Sequence, residues 1–191
     1  MCRRKFTHRI LKVTIMKKIL LAVSLAVLAT SSAFAADGTI TINGMVTDKT
    51  CSINAGGSKD FTVTLPTVSQ QVLANAGDVA GRTPFTISLT DCSAGKVATY
   101  FEPGSTVDFN TGRLNNATGA ADNVQVQLLG SNNLAIPVLA AGANGVQTNS
   151  QWVDVVAAGA ADLNYYAEYY ATGASTPGNV ATSIKYTIVY Q

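Results

Sequence analysis

Few side chains in this 191-residue sequence have the chemistry of a nucleophile, a base or a metal ligand. His8 is the only histidine, and it falls within residues 1–35, which read as a leader. Residues 36–191 therefore offer no serine–histidine or cysteine–histidine nucleophile and no histidine-containing zinc site. Of the three cysteines, Cys2 leaves with the leader, and Cys51 and Cys92 remain as an even pair. In an exported chain such a pair reads as a disulfide, and two cysteines without histidine make a poor metal site. Closing the loop between them should stabilise the fold by about 3–4 kcal/mol in the chain-entropy model.

Other catalytic signatures are missing. Gly95-Lys96 is followed by Val97, and position 90 is threonine, so no phosphate loop forms there. Gly56-Gly57-Ser58-Lys59 is a polar turn. Asp48, Asp60, Asp78, Asp91, Asp108, Asp122, Asp154 and Asp162 are scattered beside Gly, Asn, Thr or Ser, where aspartate shapes turns. No calcium-loop spacing occurs. The reading is a protein that is not an enzyme and carries no cofactor and no metal.

Charge divides the chain in two. Residues 1–35 hold seven basic groups and no acid, whereas residues 36–191 hold six basic groups and all eleven acids, a net charge of −5. An acidic body with scattered cations has no footprint for nucleic acid. Within the basic part, Met16-Lys17-Lys18, the apolar run Ile19 to Ala29 and the small-x-small site Ala33-Phe34-Ala35 compose a secretory signal, with cleavage expected between Ala35 and Ala36. The apolar run spans about 16 Å as a helix, roughly half a bilayer core, so it is too short for a permanent anchor. Met16 is the expected initiator, residues 1–15 being an overlong start. The organisation expected is an N-terminal extension plus signal over 1–35, a short N-terminal segment over 36–46, and one domain over 47–191.

Glycine punctuates the rest of the chain, and the runs between glycines are short and rich in Val, Ile, Thr and Tyr. Thr39 to Ile42, Phe61 to Leu65, Phe85 to Leu89, Val124 to Leu128 and Ile184 to Tyr190 alternate in period two, which puts one set of side chains on a buried face and the other in water. Turn signals such as Asn54 to Ser58, Asn115 to Gly119 and Thr176-Pro177-Gly178-Asn179 separate them. Many short strands at this spacing predict an all-β sandwich or barrel. No amphipathic helix is expected; Gln70 to Ala76 could form a single turn.

Several of these runs, in order, carry a resemblance. Gly38-Thr39-Ile40-Thr41-Ile42-Asn43-Gly44 precedes Cys51; Thr83 to Asp91 leads to Cys92; Val124 to Leu129 forms a central run; Tyr165 to Gly173 and the terminal Tyr186-Thr187-Ile188-Val189-Tyr190-Gln191 close the chain. With the signal and one disulfide, this order resembles the subunits of chaperone–usher fimbriae, the type 1 pilin family of Gram-negative bacteria, along essentially all of Ala36–Gln191. The resemblance implies an immunoglobulin-like β-sandwich that is incomplete because its last strand is missing, completed by a donor strand from a neighbouring subunit. It implies that Gly38, Ile40 and Ile42 face the groove of that neighbour, with Gly38 as the small residue that allows close backbone approach. Cleavage before Ala36 leaves only Ala36 and Asp37 ahead of Gly38, a shorter extension than in many relatives. It implies further that Ile184, Tyr186, Ile188 and Tyr190 share the groove-bordering and chaperone-facing side of the last strand. The partners implied are a periplasmic chaperone, an outer-membrane usher and identical or related subunits in a homopolymer. The location implied is an extracellular pilus reached through the periplasm and serving adhesion and biofilm growth. The competing function is a secreted monomeric β-sandwich that binds a ligand.

Two further features are expected to be structural. Tyr165, Ala167 and Tyr169 share one face of their run, while Tyr166, Glu168 and Tyr170 share the other, suited to core and to contacts between subunits. Asn116-Ala117-Thr118 matches a glycosylation acceptor but sits in a turn-rich stretch.

Overall fold

A computed structural model of the chain describes residues 38–54, 58–142 and 144–191. The leader, the cleavage pair Ala35 and Ala36, and part of the Asn54–Ser58 turn lie outside the described residues. One compact unit spans Val46–Gln191. Of the residues before it, Gly38–Met45 belong to no strand and are exposed.

Among the described residues the unit has ten strands: β1 (Ser52–Ile53), β2 (Val79–Cys92), β3 (Gly95–Glu102), β4 (Val107–Asp108), β5 (Arg113–Asn115), β6 (Val124–Gly130), β7 (Ala135–Ile136), β8 (Val153–Val155), β9 (Gly159–Ala171) and β10 (Lys185–Tyr190). The larger sheet runs β1-β2-β9-β6-β5-β4, with β7 also on β6; the smaller runs β10-β3-β8. All pairings are antiparallel. Gln70–Leu73 forms one 3₁₀ turn capped by the Ser69 hydroxyl, the single turn the sequence allows at that place.

Phe85 to Leu89, Val124 to Leu128 and, from Lys185 onward, the last run enter these strands for the expected reason, whereas Thr39 to Ile42 and Phe61 to Leu65 enter none. Ile87 and Leu89 of β2, Leu163 and Tyr165 of β9, Val126 and Leu128 of β6, Phe101 of β3 and Ile188 of β10 point between the sheets and form one core. Phe101 and Tyr165 meet edge to face with ring centroids 5.2 Å apart. Pro84 is accommodated because β2 has β9 on one side there, while β1 pairs only at Leu89 and Thr90.

The outer face of the larger sheet departs from the simple alternation. Gln125 and Gln127 are expected in water, yet both are buried. Gln127 Nε2 donates to Glu168 Oε1 at 2.6 Å and its Oε1 accepts from Arg113 Nε at 3.3 Å. Gln125 Nε2 donates to Asp108 Oδ2 and Asn115 Oδ1, both at 3.0 Å. Glu168, 2% exposed, pairs with Arg82 Nε at 2.7 Å, and the Arg113 guanidinium lies 3.5 Å above the Tyr170 ring. Long side chains from neighbouring strands thus lie across β6 and replace water as its polar partners.

Cys51 and Cys92 are bonded, with sulfurs 2.10 Å apart, just before β1 and at the end of β2. The neighbouring end of β10 is tied to the same corner: Cys51 N–H donates to the Tyr190 hydroxyl at 3.1 Å and Lys49 Nζ to the Gln191 carbonyl at 2.8 Å. Gly95, at φ +146°, makes this corner possible, since a Cβ there would stand 2.6 Å from the Gln191 oxygen.

Replacing both Cys51 and Cys92 by serine should lower unfolding free energy by about 3–4 kcal/mol, read as a reduced denaturant midpoint with a steeper slope as the unfolded chain expands. An unchanged midpoint would show that the 41-residue cross-link does not constrain the unfolded chain.

Candidate functional site: an open groove beside the last strand

Gln191 and Lys96 exchange both backbone hydrogen bonds, at 2.9 and 3.0 Å. In an antiparallel ladder the hydrogen-bonded pairs then alternate, so Val189–Ala98, Thr187–Tyr100 and Lys185–Glu102 bond across β10 and β3. The amides and carbonyls of Tyr190, Ile188 and Tyr186 consequently point away from β3. Among the described residues none of these six groups has a hydrogen-bond partner, and β10 pairs with β3 alone.

The other side of β3 is covered. β8 pairs with β3 over Gly95–Val97. Beyond it the Ser150 hydroxyl donates to the Thr99 carbonyl at 2.9 Å. Gln147 then acts as a one-residue surrogate strand: its Oε1 accepts from Phe101 N–H at 3.2 Å and its Nε2 donates to the Phe101 carbonyl at 2.6 Å. Side chains satisfy one edge and leave the other bare.

Next to the bare edge lies a groove of about 900 Å³. One wall is Val180–Tyr186; the other is Lys59–Leu65. The floor is core: Ile87, Phe101, Leu114, Val126, Leu128 and Ala167. Phe61 to Leu65 reads in the sequence as a strand, and its side chains do alternate, Val63 and Leu65 being half-buried against the core. It joins no sheet, because the position beside it is the groove and no strand of the unit lies there to pair with it. Tyr186 spans the two walls at one end: its hydroxyl donates to the Lys59 carbonyl at 2.7 Å, and its ring meets Phe61 edge-on at 6.4 Å. Burial pushes the Tyr186 phenol above its usual range, and the Asp60 carboxylate adds to the rise. On the Val180–Tyr186 wall, Thr182 Oγ1 is buried without a hydrogen-bond partner.

The last-strand residues divide their roles. Ile184 and Tyr186 line the groove with their side chains. Ile188 is 8% exposed within the core, and Tyr190 turns its hydroxyl to Cys51; neither lines the groove, and both present outward backbone groups on the open edge that continues from it. Gly38, Ile40 and Ile42 are exposed; Ile40 and Ile42 retain 89% and 88% of their exposure, an apolar pair with nothing covering it. The Phe61–Leu65 wall is a functional element that the alternation signals only as a strand. Gln147 and Ser150 carry no pattern that would have found them.

The two structural expectations are placed as well. Tyr165 and Ala167 are buried, and Tyr169 is half-buried against the core. Asn116 is a turn organiser: its Nδ2 donates to Ala121 and Asn179 carbonyls, and its Oδ1 accepts from Gly119 and Ala181 amides. A glycan on that nitrogen would break the arrangement.

Comparison with known proteins decides the family. The model for the type-1 fimbrial protein FimA matches residues 65–191. The chain belongs to the type-1 fimbrial protein family. This fimbrial subunit is 70% identical over 161 residues to the major fimbrial subunit SMF-1 of Stenotrophomonas maltophilia, covering 83% of this chain and 95% of that one. It is 45% identical over 176 residues to the F17 fimbrial protein of Escherichia coli, covering 87% and 94%. Among solved structures it shares the fold of a subunit from a chaperone–usher pilus studied for rod uncoiling (TM-score 0.56, 21% identity, covering 82% and 96%). The P pilus rod subunit PapA has the same fold (TM-score 0.53, 18% identity, covering 74% and 99%). The fold is thus the incomplete immunoglobulin-like sandwich of pilins, and the chain is a structural subunit of a fimbria rather than a monomeric ligand-binding sandwich.

Ile188→Pro spares every hydrogen bond between β10 and β3 but removes a donor from the open edge. It should lose incorporation into fibres, whereas Ile188→Ala, which removes only the buried side chain at a cost of about 2–4 kcal/mol, should retain part of it. Equal incorporation of the two, measured by pull-down on tagged wild-type subunits, would show that the Ile188 amide is not a contact.

Proposed function

We propose that the groove between β10 and Phe61–Leu65 receives the N-terminal segment of a second subunit, so that fibres grow by donor-strand exchange. The observation carrying this reading is the pairing of two incomplete halves on one chain. One half is an apolar groove at the Tyr186 end of the open β10 edge, along which Tyr186, Ile188 and Tyr190 turn their backbone groups outward. The other is an exposed alternating segment with Gly38, Ile40 and Ile42 on one face. A strand laid in the groove would bond to Tyr186, Ile188 and Tyr190 and drop its alternate side chains onto the floor. Burying each isoleucine contributes about 1.5–3 kcal/mol before the cost of ordering the segment is subtracted.

Such growth is a replacement of strands and uses no covalent chemistry, so the subunit acts without catalysis, cofactor or metal. A bare edge beside half-exposed apolar groove walls invites aggregation. A periplasmic chaperone that fills the groove during export, and an outer-membrane usher where the exchange takes place, answer that hazard. The mature chain would begin at Ala36, pass through the periplasm and end in an extracellular homopolymer that supports adhesion and biofilm growth. The likeness to a major fimbrial subunit favours a place along the shaft.

Ile40→Asp with Ile42→Asp should abolish the ladder of detergent-resistant oligomers seen in unheated gels, because two carboxylates would enter an apolar groove. The same variant should still accept a wild-type segment, so that adding it to wild-type subunits shortens the fibres. A full ladder from the double variant alone would reject the donor segment. Deleting Ala36–Asn43 should give the same pattern.

A further inference from the structure

Asn43 and Gly44 are adjacent in the exposed segment, and this pair has a chemistry that needs no partner. The backbone nitrogen of Gly44 can reach the Asn43 side-chain carbon in a five-membered ring. A bond forms between Gly44 N and Asn43 Cγ, the amide proton passes to solvent, and Nδ2 leaves as ammonia. Water then opens the cyclic imide at one of its two carbonyls, giving aspartate or isoaspartate. One water is consumed and one ammonia released; nothing is oxidised or reduced.

The geometry leaves this path open at Gly44. Nothing stands within 4 Å of the position a Cβ would occupy, so no side chain shields the nitrogen. Asn43 and its neighbours are exposed, and among the described residues the Gly44 amide donates no hydrogen bond and belongs to no ladder. The chain can therefore rotate into the attacking conformation, which glycine permits most freely. An internal comparison exists at Asn144-Gly145, which is also exposed. There the Gly145 amide donates to the Gly142 carbonyl at 3.0 Å and the residue is held in a turn at φ +82°. Its nitrogen is occupied.

We propose that Asn43 is a spontaneous deamidation site, and that its conversion disables the segment as a donor. The second half of this statement rests on the donor-strand reading above. Isoaspartate carries the backbone through the former side chain and inserts one extra carbon between Ile42 and Gly44. A single extra backbone atom breaks the period-two register, so residues on the two sides of position 43 can no longer fit one strand. Either product also adds a negative charge to an acidic chain. A segment already laid into a sheet has its backbone fixed and escapes the reaction. Subunits that wait unassembled are modified, and assembled ones are not.

The test uses the full mature chain, kept free in mildly alkaline buffer and sampled over days by peptide mass spectrometry with an isoaspartate-specific methyl-transfer readout. Asn43 is expected to convert several-fold faster than Asn144, with isoaspartate the larger product, and Gly44→Ala should slow it several-fold. Equal rates at the two asparagines, or no effect of Gly44→Ala, overturns the site. Aged chain is then allowed to assemble, and its oligomer and leftover monomer are compared. Oligomer in which added subunits retain Asn43, with the modified form concentrated in the monomer, supports the loss of donor function; an equal modified fraction in both overturns it. Failure of fresh chain to form oligomers would count against the donor-strand reading, while the comparison of Asn43 with Asn144 still decides the modification.

Discussion

Everything in this subunit turns on one strand edge whose backbone groups have no internal partner. Backbone amides and carbonyls in folded proteins are almost always paired, and the small sheet meets this rule on three of its faces of contact: β10 with β3, β3 with β8, and β3 with Gln147 and Ser150. Among the described residues it breaks the rule along Tyr186, Ile188 and Tyr190. Water can satisfy these groups in the open groove, so the backbone alone does not make the edge costly. The apolar walls beside it do, because Phe61 is exposed and Val63, Leu65 and Ile184 are only half-buried along the groove.

The larger sheet shows what a closed surface looks like in the same molecule. Its outer face carries a buried carboxylate, Glu168, two buried glutamines and two arginines, yet each of these side chains finds a partner. A buried ionised group left alone would be expensive, and this network removes the expense within the subunit. The polar face is therefore satisfied within the subunit except at Gln125 Oε1, which is buried without a partner among the described residues, and the groove is where the subunit is incomplete. The disulfide and the Tyr190–Cys51 contact keep the end of β10 at one corner, so the open edge is presented in a fixed register.

Much of this was legible in the sequence because period two and burial are the same signal. Phe85 to Leu89, Val124 to Leu128 and the last strand fall where their alternation puts them, and two cysteines in an exported chain announce their bond. Three features were not legible. Gln125 and Gln127 alternate as if solvated, but their burial depends on arginines and acids from other strands, a tertiary fact. Phe61 to Leu65 has the pattern of a strand, and whether a strand finds a partner is decided by topology. Gln147 replaces a strand with one side chain, from a stretch with no periodicity. The groove itself came from resemblance to a family; residue pattern alone gives an all-β sandwich or barrel and does not say which strand is lacking.

Amide hydrogen exchange resolved by residue tests the central claim most directly. Thr187 and Val189 amides face β3 and should be protected both in free subunits and in fibres. Tyr186, Ile188 and Tyr190 amides face the groove and should exchange readily in free subunits and become protected in fibres. Protection of alternate residues that appears only on assembly is the result the account predicts. If the Ile188 amide exchanges at the same rate in fibres as in free subunits, no strand pairs with that edge, and the account is contradicted.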